Sequence, residues 1–153
     1  MSITDILSVE RVIAELKARQ KDAVLQELAE LVSPAVPGST PAHLAGVLKE
    51  RERLNSTAIG DGIAIPHGRV PGIRNVVAGF ARSTTGIDFD SVDRRPTNLF
   101  FVLMAPDDAA ALHLKALARI SRLLKSESFR GHLLSLGSAR EIYDAIVAED
   151  QKT

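Results

Sequence analysis

The residue in this chain best equipped to make and break a bond is His67. It closes the run Gly60-Asp-Gly-Ile-Ala-Ile-Pro-His67 and is followed at once by Gly68. A neutral imidazole nitrogen is a competent nucleophile near neutral pH, because its reference pKa is about 6.5. With a phosphoryl group as electrophile the product is a phosphoramidate, which passes the group on more readily than a stable ester would. The mounting suits such a transfer. Pro66 fixes its own φ, offers no backbone N–H and steers Ile65 away from the helical region. Ile63 and Ile65 alternate to one side of a short extended run, and Gly60, Gly62 and Gly68 permit turns that other residues resist. The expectation is a histidine held in a stiff, non-helical loop at the end of a strand. Rigidity there helps it meet a partner's reactive group in line. A turn histidine taken alone is more often one that only hydrogen-bonds locally.

Other positions can assist. Arg51 offers a planar fork to phosphate oxygens, and neutralising charge is most of what phosphoryl transfer asks of a protein. A solvated helix-end cation is the plainer reading of an arginine there, and the better one for Arg53. Ser56 or Thr57 offers a hydroxyl donor, and Gly68 completes the candidate binding set beside the histidine. Asp61 is given no catalytic role. His113 shares a helical face with Leu117, Ile120 and Leu124, the pattern of a core histidine. It also falls in the first turns of a helix that follows a buried strand. The carboxyl ends of strands are where open α/β sheets bind ligands, and a helix N-terminus favours anions.

The elements that place these groups read as follows. Residues 1–16 are ambiguous: Val12, Ile13 and Leu16 could lie on a helix, which periodicity alone favours, or form a first strand. Asp22 caps a helix with an apolar stripe of Val24, Leu25, Leu28, Leu31 and Val32. After a Pro/Gly/Ser-rich loop, Thr40-Pro41 starts a second, with Leu44, Val47, Leu48 and Leu54 inward and Arg51 near its end. Past His67, Val70-Pro71-Gly72 turns, Val76–Ala81 is a strand, Arg82–Gly86 a polar turn and Ile87–Phe89 a short extended piece. Leu99–Met104 is continuously apolar, the mark of a strand buried on both faces. Helices follow at about Ala110–Leu124, after Ser126 (Phe129, Leu133 and Leu134 inward) and after the capping box Ser138-Ala-Arg-Glu141, with Gly137 between the last two. Strands covered by helices on both sides predict a three-layer α/β/α sandwich with a central mixed sheet, one domain over residues 1–153.

Composition narrows the function. Nineteen basic and nineteen acidic residues cancel, and only five phenylalanines and one tyrosine are present. No basic stripe or aromatic platform for nucleic acid stands out. The absence of cysteine excludes disulfides and thiolate chemistry. The N-terminus lacks the pattern of a signal peptide, and no apolar run reaches membrane-spanning length, so a cytoplasmic protein is expected. No phosphate-binding GxxxxGK[ST], GxGxxG or HExxH motif occurs, and His43, His67, His113 and His132 lack zinc-ligand spacing. The expectation is no metal and no cofactor.

Arg51-Glu52, Ser56-Thr57, Gly60-Asp61-Gly62 and Ile65-Pro66-His67-Gly68, in that order, together resemble the phosphorylation loop of a known family. It is that of the type-2 EIIA domains of the bacterial phosphoenolpyruvate-dependent phosphotransferase system, the fructose/mannitol and nitrogen-regulatory group. Leu112-His113-Leu114 matches a second family element, and the likeness runs from about Leu7 to Asp150. It implies that His67 accepts the phosphoryl group from an HPr-like phosphohistidine protein. Supporting roles are implied for His113 and Arg51, and a strand near Val12. The run Arg51-Glu-Arg-Leu-Asn-Ser-Thr-Ala-Ile-Gly60 looks most like the nitrogen-regulatory branch. That branch implies control of partners such as potassium-transport proteins and sensor kinases by phosphorylation state. Two alternatives stand beside it: a sugar-specific EIIA that hands phosphate to an EIIB, and a regulatory binding module without phosphoryl transfer.

Overall fold

Helix starts follow the capping chemistry of the sequence. The hydroxyls of Thr40, Ser126 and Ser138 accept from the backbone N–H of His43, Phe129 and Glu141, three residues on in each case. The computed structural model describes residues 1–152. In chain order its elements are β1 (Val12–Ile13), α1 (Lys21–Val32), α2 (Pro41–Leu54), β2 (Ala58–Gly60), β3 (Ile63–Ala64), β4 (His67–Val70), β5 (Val77–Ile87), β6 (Thr97–Pro106), α3 (Ala110–Leu123), α4 (Glu127–Ser135) and α5 (Ala139–Gln151), with single 3-10 turns at Ile3–Asp5, Val9–Arg11 and Ser33–Ala35.

The sheet is mixed and is built around β6. On one side β5 runs antiparallel to it, and β1 lies parallel beyond β5. On the other side β3 and then β4 run parallel along the same edge of β6, Ile63 opposite Leu99 and His67 opposite Leu103, with β2 outside β3. Alternation along β6 divides the interior in two. Leu99, Phe101, Leu103 and Ala105 face α3, α4 and α5, while Phe100, Val102 and Met104 face α1 and α2. That is the expected α/β/α sandwich. Among the described residues no helix is long and apolar enough to cross a membrane.

Several local expectations are corrected. Residues 1–11 form two 3-10 turns rather than a helix, and the strand that the family resemblance implied is present at Val12–Ile13. Helix α1 begins after Gln20, so Asp22 sits inside its first turn instead of capping it. Leu54 is 80% exposed, because it is the last residue of α2 and no further turn of the helix covers it, and Leu134 is 39% exposed. Strand β5 runs straight through the stretch expected to turn. Its polar residues have partners inside the fold: buried Arg82 donates from Nε to Ala14 O (2.8 Å) and from Nη1 to Leu133 O (2.8 Å) and Leu136 O (2.5 Å). A register slip between Arg82 and Ile87, with Gly86 at φ 86°, absorbs the irregularity as a bulge. His67 opens a strand segment, where a loop was expected.

Gly68 has a packing reason. A Cβ built on it would lie 2.3 Å from Val47 Cγ1 on α2, and a β-branched helical side chain has little rotamer freedom to yield. Gly68→Ala is therefore expected to destabilise the protein by about 1–3 kcal/mol in urea unfolding. Adding Val47→Ala should recover most of that loss, a coupling that independent sites would not show.

Candidate active site

His67 stands where the edge strand restarts. Pro66 interrupts the ladder between β3 and β4, and its carbonyl accepts from Leu103 N at 2.9 Å. The His67 ring folds back so that Nδ1 lies 2.7 Å from Ile65 O. A carbonyl only accepts, so this contact puts the proton on Nδ1 and leaves the lone pair on Nε2. Partial burial, aided by the charges of Arg51 and Arg69, holds the His67 pKa below its ordinary value against the opposing pull of Ile65 O. At neutral pH the ring is neutral, with its free lone pair on one defined nitrogen.

His113 lies in the first turn of α3, above the face of the sheet that His67 shares with Leu103. The two rings meet edge to face, with centroids 5.2 Å apart and planes at 74°. His113 is 6% exposed, and its Nε2 is sealed from solvent without a hydrogen-bond partner. Burial first, then the charges of His67, Arg69 and Arg51, push its pKa down to about 4. A buried polar atom without a partner is costly, and here it borders the best nucleophile in the chain.

The rings open into a cleft of about 900 Å³ between α2 and α3. Its lining includes Arg51, His67, Gly68, Arg69 and His113, with His43 and the apolar Val47 and Leu54 on the α2 side. Arg51 is tethered at the end of α2 by Nη1 to Asn55 O (3.1 Å) and Asn55 Oδ1 (3.0 Å). Arg53 pairs with Glu50 (2.9 Å) and does not line the cleft. Ser56 and Thr57 are placed elsewhere. The Ser56 hydroxyl donates to Phe89 O at 2.6 Å, and the buried Thr57 hydroxyl donates to Glu52 Oε1, which also accepts from Thr57 N at 2.9 Å. Glu52 in turn meets Lys21 at 2.7 Å. These groups pin the end of α2 to the start of β2 and so hold Arg51 at the cleft. Among the described residues no cluster of three or more histidine or acidic side chains is placed to hold a metal ion.

The model of the family described as "Phosphoenolpyruvate-dependent sugar phosphotransferase system, EIIA 2" matches residues 5–149. The chain belongs to that family. As an EIIA it is a phosphotransferase component, with a general role in phosphoryl transfer. A nitrogen regulatory protein of Bradyrhizobium diazoefficiens is 41% identical over 146 residues, 95% of each chain. The fructose-specific EIIABC component of Bacillus subtilis is 33% identical over 99% of this chain, which spans 24% of that larger protein. Among solved structures, the nitrogen regulatory protein IIA-Ntr from Neisseria meningitidis superposes with a TM-score of 0.88 at 29% identity, covering 94% of this chain and 98% of its own.

Of the sequence-predicted set, this EIIA fold brings His67, Gly68, His113 and Arg51 to one cleft. Arg69 and Glu52 were assigned no role from the sequence. The signal for Arg69 was present: two residues past His67 on a strand is the same face. A loop at 67–70 would have no faces, and only the strand found there pairs the two side chains. Glu52 gave no signal beyond a carboxylate at an unlikely place to be buried.

His113 makes a stability prediction for this EIIA. Its folded pKa is depressed, so between pH 6.5 and about 4 the unfolded chain binds a proton that the folded chain refuses. Stability is full above pH 6.5, falls as pH drops toward 4, and the loss amounts to about 3 kcal/mol. Urea unfolding of His113→Gln is expected to show a flatter acid limb. Part of the slope that remains belongs to His67, which shifts the same way, and the most acid part to Asp150, whose pKa, despite burial, is held down by Arg119.

Proposed function

We propose that this protein is a phosphocarrier that accepts a phosphoryl group on Nε2 of His67 from an HPr-like phosphohistidine protein. We propose further that it works as a nitrogen-regulatory EIIA, its phosphorylation state deciding which protein partners it binds. The observation that carries the reading is the Nδ1 to Ile65 O contact of 2.7 Å, which fixes one tautomer and presents the other nitrogen to the cleft.

The transfer balances without a proton moving. The donor's N–P bond breaks and its electron pair stays on the donor imidazole, which leaves neutral from its ring-protonated form. The lone pair of His67 Nε2 makes the new N–P bond, and the His67 ring takes up the positive charge. Ile65 O, bonded to Nδ1–H, stabilises that charge. The ring then stays a good leaving group for the next transfer. Arg51 offsets the charge of the phosphoryl oxygens. His113 supplies a donor through its nitrogen that lacks a partner.

The greater identity to the nitrogen regulatory relative, over nearly all of both chains, favours the regulatory branch. The similarity to a fructose-specific component supports the second reading, in which the phosphate goes on to an EIIB. Transfer to purified fructose-type EIIB separates them: an efficient relay selects the sugar branch, and none leaves the regulatory one.

Incubation with phosphoenolpyruvate, EI and an HPr-type donor is expected to add a single phosphate, acid-labile and base-stable, mapped to His67 by peptide mass. His67→Ala should take no label while melting as wild type does. Label on another residue, or undiminished label in the variant, refutes the assignment. Arg51→Ala should slow acceptance roughly a hundredfold, the typical effect of removing one donor to developing charge, about 3 kcal/mol. Arg53→Ala, whose guanidinium is engaged with Glu50, is the control and should transfer within about twofold of wild type.

A further inference from the structure

We propose that Arg69 is a second catalytic cation of this site, its guanidinium donating to the oxygens of the phosphoryl group on His67; the proposal rests on the phosphocarrier reading above. Position comes first. In β4 the side chains of His67 and Arg69 leave the same face, roughly 7 Å apart along the strand, and both line the cleft. Gly68 and Val70 between and beyond them point into the opposite, α2 side. The strand itself is fixed, with Arg69 in register with Ala105 of the central strand β6. A long side chain on a paired strand is a cation with a firm base and a mobile head.

Availability distinguishes it from the other arginines nearby. Arg51 is bound through Nη1 to Asn55 at two oxygens, and Arg53 is engaged with Glu50. Arg69 is exposed and has no carboxylate or carbonyl hydrogen-bonded to it among the described residues. Its charge is nevertheless felt at both imidazoles, where it opposes protonation of His67 and of His113. A cation close enough to disturb two neutral rings is close enough to meet an anion attached to one of them. The incoming group carries between one and two negative charges. Arg51 on the α2 side of the cleft leaves part of that charge without a partner, and Arg69 on the strand side supplies it. No proton moves in this role: Arg69 stays charged before, during and after transfer.

The test uses the full chain with two phosphoryl donors, an HPr-type phosphoprotein and the small molecule phosphoramidate, on wild type, Arg69→Gln and Arg69→Lys. Transfer from both donors is expected to slow at least tenfold in Arg69→Gln, with Arg69→Lys regaining part of the rate because a point charge lacks the fork. In 31P NMR titration the phosphoryl group on His67 should protonate at higher pH in Arg69→Gln, since the cation that favours its dianion is gone. A packing role would leave that titration unmoved. Rates within twofold of wild type with an unchanged phosphorus titration overturn the proposal. So does a loss confined to the protein donor, which makes Arg69 a docking contact only. If Arg69→Gln fails to fold, Arg69→Met takes its place, and a phosphorus titration unchanged from wild type in that variant overturns the proposal. A wild-type protein that takes no phosphate on His67 from either donor fails one step earlier and removes the phosphocarrier reading with it.

Discussion

One short contact governs this site, the 2.7 Å between Nδ1 of His67 and Ile65 O. Strands β3 and β4 lie along one edge of β6 as two pieces of a single line, and Pro66 is the break between them. Ile65 still donates to Thr57 O at 3.1 Å, and Pro66 O still accepts from Leu103 N, so the backbone on either side stays anchored. Ile65 bonds toward Thr57, away from β6, and on that side its carbonyl meets Nδ1 of the histidine two residues on. Proline acts on this contact through its fixed φ and through the extended backbone it imposes on Ile65. The contact sets the tautomer of His67. An alanine at 66 would add an N–H facing β6 and relax that restraint.

The two cores explain why the break is tolerated. Because β6 is buried on both faces, the edge pieces β3 and β4 need contribute little cohesion of their own. The N-terminal turns, α3 and α5 are held together independently by Asp150, which accepts from Ile3 N at 2.9 Å and pairs with Arg119 at 2.6 Å. Arg119 and His113 ride on the same helix. The bridge near the end of α3 thus helps fix the seat from which His113 meets His67. On the opposite side the chain Lys21, Glu52, Thr57 does the same for the end of α2 and Arg51. Each helix that brings a polar group to the cleft is braced by a charged group with a buried carboxylate.

How much of this the sequence disclosed depends on how local each cause was. Leu99–Met104 declared the central strand, and Thr40, Ser126 and Ser138 declared three helix starts, because both signals need only neighbouring residues. His67 and His113 were legible as a pair through motif and helical face. Arg82–Gly86 misled because polarity reads as a turn unless one knows that the carbonyls of Ala14, Leu133 and Leu136 wait for the guanidinium. Leu54 misled in the other direction, its spacing being right for burial while no further turn of the helix covers it. Ser56 and Thr57 sit beside the motif in sequence, yet their hydroxyls are turned to Phe89 O and Glu52, partners that only the tertiary fold brings near. Arg69 was hidden by one wrong element, since a loop has no faces and a strand has two.

The electrostatics of the site gather positive charge around two neutral rings. Two imidazoles are kept neutral in close contact, and two guanidiniums line the same cleft, Arg51 from a helix end and Arg69 from a strand. Within this arrangement the guanidiniums depress both histidines, His67 adds to the depression of His113, and Nε2 of His113 goes without a partner. All of these are unfavourable terms in the free protein, and a dianion on His67 reverses each of them. It attracts both guanidiniums, offers acceptors to the nitrogen that lacks one, and turns the surroundings of His113 from opposing a proton to favouring it. On the phosphocarrier reading the folded chain already holds these charged groups where a phosphoryl group on His67 would meet them, and little reorganisation remains for the moment of transfer.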